Sequence, residues 1–445
     1  MMKLVTATWK LQRIQIITLG CSKNIVDSER LARQLQIAGH TVIYENAALT
    51  SKTPEHIDSV LINTCGFIGD AKEESIATIL NCVSAKQDGL VGKIYVFGCL
   101  SQRYEHDLRE EIPEVDAFFG VRDFDKIVKT FGNTISTEMS DERYLSTPSH
   151  YAYLKISEGC NWGCSYCAIP LIRGKHVSAP MECLISEVQK LASAGVKELL
   201  VVAQDTTFYG MDLYAKRRIG DLLNRISEVN EIEWIRLHYT HPVKFPEELM
   251  AVLRDNPKVC KYLDIPLQHI SDKVLKNMRR GINGVEIAHL MERLRKEIPG
   301  ISLRTTFMVG HPGEDERAFS ELKQFIKEVR FERLGVFCYS EEEDTYGAAH
   351  FPDTVSQVAK EVRRSELMEL QAQISEELNK AKTGQLFRTI IDRQEGDFFV
   401  GRTEYDSPEV DGEVLIEAKR PLSTGAFYNV RITSADEYDL YGEVC

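Results

Sequence analysis

Residues 158–167 read Glu-Gly-Cys-Asn-Trp-Gly-Cys-Ser-Tyr-Cys, which places Cys160, Cys164 and Cys167 within one short loop. The spacing Cys-x-x-x-Cys-x-x-Cys brings three thiolates together and supplies no fourth. Iron–sulfur clusters are held by cysteine thiolates, usually four per cluster. A loop with three cysteines therefore predicts an iron–sulfur cluster that has one iron open to bind another ligand.

The alternative interpretation of this loop is a structural zinc site. Such sites are closed by four ligands, commonly two Cys-x-x-Cys pairs. No matching second pair follows Cys167 in the chain. The number of ligands therefore favours the cluster over zinc.

Composition and charge restrict the class of protein. The chain has 445 residues, eleven cysteines and a net charge of −13, which predicts about three domains and argues weakly against nonspecific binding to nucleic acid. The start, Met1–Arg13, lacks the apolar segment of a secretory signal, and no apolar run approaches the ~20 residues of a membrane span. We therefore expect a cytoplasmic protein with no membrane partner, whose cysteines serve metal or redox chemistry. The basic run Lys276–Arg280 is expected to be a solvated helix face.

The first segment, residues 13–135, alternates short apolar runs with amphipathic helical stretches. Buried strands are predicted at Arg13–Leu19, Ser59–Asn63 and Lys93–Phe97, and helices at Asn24–Ala38 and Ala71–Ala85. This alternation predicts an α/β domain with a doubly wound parallel sheet. Residues 136–149 are polar and are predicted to be a linker.

The second segment, residues 150–355, contains candidate strands separated by helical stretches. Six are predicted: Tyr151–Ile156, Glu198–Ala203, Trp234–Tyr239, Tyr262–Leu267, Ser302–Val309 and Arg333–Tyr339. Six βα units predict an incomplete TIM-like (βα)6 barrel, in which chemistry is carried out at the C-terminal ends of the strands. The three-cysteine loop fits this location because it follows the first strand.

The third segment begins with a charged helix, residues 356–383, whose apolar residues recur at helical spacing. Short strands with turn signals follow in residues 384–445. They are predicted at Leu386–Asp392, Phe398–Thr403, Glu413–Ala418 and Ala426–Ser434. This pattern predicts a small β-barrel.

A second set of cysteines lies in the first segment. Cys21, Cys65 and Cys99 each follow a predicted strand. In a doubly wound sheet, ligands bind outside the carboxyl ends of the strands, so the three thiols are expected to converge there on a second cluster. The alternative is that each is a buried core residue, since free cysteine is among the most buried residue types.

Polar residues also stand at the predicted strand ends of the barrel. Buried charge inside a barrel is costly unless it is paired, so these residues imply a ligand or a partner. His238 alone is equally well explained as a hydrogen-bonded core residue. The candidates are Gln204, Asp205, Thr206, Thr207, Arg236, His238, Gln268, His269, Arg304, Thr306, the turn Gly310–Glu314, Tyr339, Ser340 and Glu341.

Taken together, these features resemble the methylthiotransferases of the radical S-adenosylmethionine superfamily. The resemblance covers nearly the whole chain and rests on long strings, among them Leu-Gly-Cys-Ser-Lys-Asn (19–24), Ile-Arg-Gly-Lys-His-Val-Ser (172–178) and Val-Gly-His-Pro-Gly-Glu (309–314). It implies an N-terminal domain with an auxiliary cluster, a radical S-adenosylmethionine barrel and a C-terminal TRAM domain. Trp162 and Gly163 stand where basic residues are frequent in the family.

The resemblance also implies cofactors and their ligands. Two 4Fe–4S clusters are expected, one held by Cys160, Cys164 and Cys167 and bound to S-adenosylmethionine, the other held by Cys21, Cys65 and Cys99. Tyr166, Gln204, Gly310 and Glu314 are expected to shape the S-adenosylmethionine pocket. An electron donor and a sulfur source are implied as partners, because the cofactor rather than a side-chain base carries the hard chemistry.

The strings are most similar to the branch of the family that adds a methylthio group to the β-carbon of an aspartate in the small-subunit ribosomal protein uS12, free or in the ribosome. Residues 384–445 contain six Lys and Arg against thirteen Asp and Glu, a balance of −7. A barrel that grips RNA should be basic, whereas an acidic face suits a basic protein, so transfer RNA is a disfavoured partner. The alternatives are methylthiolation of a modified adenosine in transfer RNA and a non-catalytic iron–sulfur module for redox sensing.

Overall fold

A computed structural model describes residues 10–44, 56–132 and 142–445. The chain divides into two compact units. The first contains the described residues up to Ser146 together with Ile169–Gly174, and the second contains Thr147–Ala168 and Lys175–Cys445. Part of the predicted linker 136–149, up to residue 141, lies outside the described residues.

The described part of the first unit is built on a parallel sheet in the order β2-β1-β3-β4-β5. Its strands are β1 (Arg13–Thr18), β2 (Thr41–Tyr44), β3 (Ile57–Thr64), β4 (Val91–Gly98) and β5 (Ala117–Phe118). Its helices are α1 (Ser22–Ile37), α2 (Gly69–Gln87), α3 (Cys99–Glu111) and α4 (Phe124–Thr130), and α5 (Ile169–Arg173) belongs to it as well.

Two apolar clusters cover this sheet. One contains Val60 and Ile62 of β3 with Ile79 of α2, and the other contains Ile16 of β1 with Leu31 of α1. Parallel sheets are stable when both faces are buried in this way. The prediction of a doubly wound sheet is therefore confirmed, although β2 and β5 were not predicted because they are short.

The second unit contains a six-stranded sheet in the order β13-β12-β11-β10-β9-β6, in which every neighbouring pair is parallel. These strands are β6 (Tyr151–Lys155), β9 (Glu198–Val202), β10 (Trp234–Leu237), β11 (Val259–Asp264), β12 (Ser302–Val309) and β13 (Arg333–Cys338), and a small ladder joins β7 (Ser157–Glu158) to β8 (Val177–Ser178). The accompanying helices are α6 (Met181–Ser193), α7 (Met211–Tyr214), α8 (Ile219–Ser227), α9 (Glu247–Asp255), α10 (Asp272–Asn277), α11 (Gly284–Glu297), α12 (Glu316–Val329) and α13 (Tyr346–His350). The sheet is the predicted incomplete barrel.

The helix α14 (Gln357–Lys380) leads from this barrel to a closed five-stranded barrel. The strands of the closed barrel are β14 (Leu386–Glu395), β15 (Phe398–Thr403), β16 (Val414–Glu417), β17 (Phe427–Ala435) and β18 (Leu440–Val444). The sequence predicted the first four. β18 closes the barrel by pairing parallel to β16 and antiparallel to β17. No helix in the described residues is long and apolar enough to cross a membrane.

Candidate active site

The three-cysteine loop follows β6 and β7, at the carboxyl end of the first strand of the open barrel. Backbone hydrogen bonds hold this loop at Ser165. Its amide donates to the Met278 carbonyl at 3.0 Å, and its carbonyl accepts from the Gly347 amide at 2.6 Å. Cys160, Cys164 and Cys167 are partly exposed. The loop is therefore fixed by its backbone, while its thiols stay accessible to a ligand.

Arg280 reaches this loop from the segment that follows α10. Its Nη1 donates to Cys164 Sγ at 3.5 Å and to the Tyr166 hydroxyl at 3.4 Å, and its Nη2 donates to the Pro266 carbonyl at 2.6 Å. The residue is only 4% exposed. The expectation that Lys276–Arg280 is a solvated face is thus wrong for Arg280, because its guanidinium is used inside the barrel.

Trp162 makes a contact that the sequence did not predict. Its ring stacks on His241 with centroids 4.0 Å apart, and its Nε1 donates to Asp205 Oδ2 at 2.6 Å. Burial, together with Arg280 and Arg217, holds the pKa of His241 far below its usual value, so the imidazole is neutral. Trp162, which lies within the three-cysteine loop, therefore joins this loop to His241 by an aromatic stack.

The predicted pocket residue Gln204 is placed suitably for a ligand. Its Nε2 donates to Glu158 Oε1 at 3.0 Å, while its Oε1 is buried and has no hydrogen-bond partner among the described residues. A buried acceptor without a partner is costly, so this oxygen fits a ligand that carries N–H or O–H groups. S-adenosylmethionine carries both.

Two other predicted pocket residues are anchored to α14. Glu314 is buried, with Oε1 accepting from Arg363 Nη1 at 2.7 Å and Oε2 lying 3.2 Å from His269 Nε2. At Gly310, with φ of +76°, a Cβ atom would lie 2.2 Å from Lys360 Cγ. Gly310 and Glu314 therefore define the shape of the turn. Both carboxylate oxygens of Glu314 already have partners within the protein.

Several of the remaining strand-end candidates have structural partners. Arg236 donates to Glu198 Oε1 at 2.9 Å, and Arg304 donates to Asp264 Oδ1 at 3.0 Å. His238 Nε2 lies 3.0 Å from the Ser407 hydroxyl, as expected for a satisfied core histidine.

The other candidates divide between turns, the surface and the interior. Asp205 Oδ1 accepts from the Thr207 amide and hydroxyl, and the Thr206 hydroxyl donates to the His238 carbonyl. Gln268 joins the sheet through its backbone at Thr306. Ser340 and Glu341 are exposed, and the buried Tyr339 hydroxyl has no hydrogen-bond partner among the described residues.

In the first unit, Cys21, Cys65 and Cys99 follow β1, β3 and β4, which are neighbours in the sheet. The order 2-1-3-4-5 reverses between β1 and β3, the topological switch point where doubly wound sheets bind ligands. A Cβ atom added at Gly20 would lie 2.7 Å from Cys65 Cβ and 3.0 Å from its Sγ. The three cysteines thus follow adjacent strand ends, and their convergence on one cluster stays a prediction.

A buried arginine accompanies these cysteines as well. Arg173 of α5 donates from Nη2 to Cys99 Sγ at 3.3 Å. Burial alone would raise the pKa of Cys21, but Lys23 and Arg173 lower it below its ordinary value. Burial raises the pKa of Cys99 to about 11 despite Arg173. The Cys99 thiol therefore keeps its proton near neutral pH, and any metal that it bound would have to displace that proton.

The six cysteines have the donor chemistry of iron–sulfur sites. None of the eleven cysteines, all of which fall in described segments, is in a disulfide. Within residues 10–44, 56–132 and 142–445, no three His, Cys, Asp or Glu side chains are grouped as ligands of a metal ion. The cluster assignment therefore rests on the thiols, their strand-end positions and the arginines beside them.

Comparison with known proteins identifies the parts of the chain. Residues 13–120 match an uncharacterized protein family, UPF0004, residues 154–326 match the radical SAM superfamily, and residues 383–445 match the TRAM domain. A ribosomal protein uS12 methylthiotransferase RimO from Phocaeicola vulgatus is 53% identical over 98% of this chain and 100% of its own. The chain belongs to the RimO family. The RimO of Bacteroides thetaiotaomicron is also 53% identical, over 98% of this chain and 99% of its own.

Solved structures resemble the fold of this RimO family member. The radical S-adenosylmethionine methyltransferase TsrM from Kitasatospora setae, solved with cobalamin and a [4Fe-4S] cluster, gives a TM-score of 0.58 at 12% identity and covers 94% of this chain and 80% of its own. The cobalamin-dependent enzyme OxsB gives 0.52 at 14% identity and covers 82% of this chain and 56% of its own. At such identity the likeness concerns the fold alone.

Proposed function

We propose that this chain adds a methylthio group to the β-carbon of an aspartate in ribosomal protein uS12 by radical S-adenosylmethionine chemistry. The observation that carries the proposal is the 53% identity to RimO proteins over nearly the whole of both chains. It is supported by two three-cysteine sets, each at the carboxyl ends of parallel strands and each in contact with a buried arginine.

The two sets have different roles in this proposal. Cys160, Cys164 and Cys167 hold the cluster that binds S-adenosylmethionine, because their loop lies at the carboxyl end of an open barrel, where TIM-like folds carry out their chemistry. Cys21, Cys65 and Cys99 hold the auxiliary cluster at the switch point of the N-terminal sheet. Three thiolates leave one iron of each cluster open.

The bound clusters and S-adenosylmethionine supply the radical that removes hydrogen from an unactivated carbon and the sulfur that replaces it. The residues of this chain bind and orient those groups. Gln204 Oε1 offers a buried acceptor to S-adenosylmethionine. Arg280 holds the cluster loop by donating to Cys164 and Tyr166 at once.

The terminal barrel supports a protein substrate over RNA, although less strongly than its composition suggests. Three of its carboxylates are buried in ion pairs: Asp392 with Arg402, Asp406 with Arg333, and Asp411 with Arg304. Leaving out these three and Arg402 leaves ten acidic against five basic residues, still a balance of −5. A surface that grips RNA should instead be basic.

We propose uS12 as the substrate, free or in the ribosome, with an electron donor and a sulfur source as further partners in the cytoplasm. Mass spectrometry of uS12 and digested transfer RNA from a strain lacking the gene tests this. Loss of the methylthio group from the aspartate-containing peptide, with transfer RNA unchanged, is the expected result. Loss of methylthio-adenosine from transfer RNA with uS12 intact would overturn the substrate assignment.

Complementation of the same strain tests the cysteine assignment. Cys65→Ala and Cys164→Ala are expected to restore no methylthiolation, because each removes one of only three thiolates of its cluster. Cys183→Ala is the matched control, since Cys183 is an exposed cysteine outside both sets, and it should restore methylthiolation fully. Activity in Cys65→Ala or Cys164→Ala at the wild-type level would refute the assignment for that cluster.

A further inference from the structure

The guanidinium of Arg173 contacts Cys99, one of the three auxiliary cysteines. Arg173 ends α5, six residues after Cys167 in sequence, and belongs to the first unit. Its side chain is 2% exposed, and its Nη2 lies 3.3 Å from Cys99 Sγ. An arginine stays charged when it is buried, and a buried charge is costly unless it is paired. Its neighbours must therefore supply negative charge.

The guanidinium also holds the other two cysteine-bearing strand ends through Asn24. Arg173 Nη2 donates to Asn24 Oδ1, and Asn24 Nδ2 donates to the carbonyls of Leu19 at 2.8 Å and Thr64 at 3.2 Å. Leu19 lies two residues before Cys21, and Thr64 directly precedes Cys65. Arg173 and Asn24 together thus touch the chain beside each of the three cysteines.

One carboxylate in contact with Arg173 is partly exposed. Asp27 Oδ2 lies 3.3 Å from Nη1, and this carboxylate is 22% exposed, so solvent weakens its interaction with the guanidinium. Three cluster thiolates would add negative charge in the buried space that Arg173 faces. The hydrogen bond from the charged guanidinium to Cys99 Sγ would then also have a charged acceptor, which strengthens it further.

We propose that Arg173 is a positioning residue for the auxiliary cluster. Arg173 holds Cys99 Sγ by an N–H···S hydrogen bond, and its positive charge raises the reduction potential of the cluster. Reduction adds one negative charge to the cluster, and a buried cation stabilises the reduced form more than the oxidised form. Hydrogen bonds to cluster sulfurs and net charge are known to set such potentials. This inference rests on the proposed assignment of Cys21, Cys65 and Cys99.

The test uses the full-length chain with Cys160, Cys164 and Cys167 each replaced by alanine, so that any cluster bound is the auxiliary one. After anaerobic reconstitution, iron and sulfide content of this parent protein tests the assignment of Cys21, Cys65 and Cys99 by itself. Arg173→Gln and Arg173→Lys are then compared with the parent by potentiometric titration followed by EPR. Arg143→Gln is the matched control, because Arg143 is another buried arginine of the first unit, paired with Glu29.

Arg173→Gln is expected to lower the reduction potential of the auxiliary cluster. At a fixed applied potential, the ratio of oxidised to reduced cluster should rise at least tenfold, which corresponds to a shift of about 59 mV for a one-electron couple. Arg173→Lys should recover at least half of that shift, and Arg143→Gln should leave the potential unchanged. An unshifted potential in Arg173→Gln, or no recovery in Arg173→Lys, overturns the proposal. Arg173→Gln could also fail to take up iron. In that case, an Arg173→Lys variant with at least half of the parent iron content supports the positioning role of Arg173, and loss of iron in both variants overturns that role.

Discussion

Gly20 and Cys65 are packed so closely that a Cβ atom at Gly20 would lie 2.7 Å from the Cβ of Cys65. Gly20 also has a φ of +86°, a conformation that residues with a side chain rarely adopt. The glycine is therefore required by contact as well as by backbone geometry. Any side chain here must displace Cys65 or the backbone that carries Gly20.

Gly20→Ala is expected to lower the iron content of the auxiliary cluster by more than half, because the displaced Cys65 no longer reaches its position. The matched control is Gly89→Ala, which has a similar φ of +76° but nothing within 4 Å of the added Cβ atom. Iron and sulfide analysis of both variants, in the protein with only the auxiliary cysteines, makes the comparison. Equal iron content in the two variants would show that the contact with Cys65 is unimportant.

Arg280→Met is expected to slow reductive cleavage of S-adenosylmethionine by about 10- to 100-fold, because a hydrogen bond to a charged group contributes about 1.5–3 kcal/mol. The variant removes the contacts to Cys164 Sγ and the Tyr166 hydroxyl together. The rate of 5′-deoxyadenosine formation measures the effect. Lys276→Met, an exposed basic residue of the same run, should keep the wild-type rate, and a similar loss in both variants would point to the charge of the run as a whole.

Arg402→Met is expected to destabilise the second unit by about 3–5 kcal/mol, the usual cost of breaking a buried ion pair by removing one partner. Arg402 is 2% exposed and donates to Glu198 Oε2 at 2.7 Å and to Asp392 Oδ2 at 2.6 Å. Arg393→Met is the control, because Arg393 is 47% exposed and such pairs contribute at most about 1 kcal/mol. Urea unfolding followed by far-UV circular dichroism measures both, and equal losses would contradict the prediction.

Stability is expected to fall as the pH is lowered from 6.5 to 4.5 because of His311. Burial lowers the pKa of His311 to about 4, so the unfolded chain binds a proton in this range and the folded chain does not. The unfolded state is thereby favoured, by roughly 2 kcal/mol across the interval. His311→Gln should show a flatter dependence of the thermal midpoint on pH, whereas the exposed His106→Gln should keep the wild-type slope. A wild-type slope in His311→Gln would exclude this histidine as the cause.

Much of the fold was predictable because its signals are local. The apolar runs of β1, β3 and β4 are each followed by a cysteine beside a glycine, so strand ends and candidate ligands could be placed together. The short strands β2 and β5 and the last strand β18 gave no such signal. Their pairing depends on neighbours that are distant in sequence.

The arginines of the site were missed for the same reason. Arg173 lies 74 residues from Cys99, and Arg280 lies 116 residues from Cys164. A basic residue in sequence is most often solvated, and only the tertiary fold distinguishes Arg280 from its exposed neighbour Lys276. The acidic excess of the terminal barrel was visible in the sequence, but the burial of Asp392, Asp406 and Asp411 was not.

The buried ion pairs between the open barrel and the terminal barrel restrict the exchange of the terminal barrel between related proteins. Glu198 and Arg402 are separated by 204 residues, and Arg402 donates to the buried Glu198 carboxylate, which also accepts from Arg236. A chimaera that receives its terminal barrel from a distant relative must also receive matching charges on the barrel strands, or it will bury unpaired carboxylates. The C-terminal sixty or so residues are thus not an interchangeable module, and exchanges intended to alter substrate choice need to carry both sides of this interface.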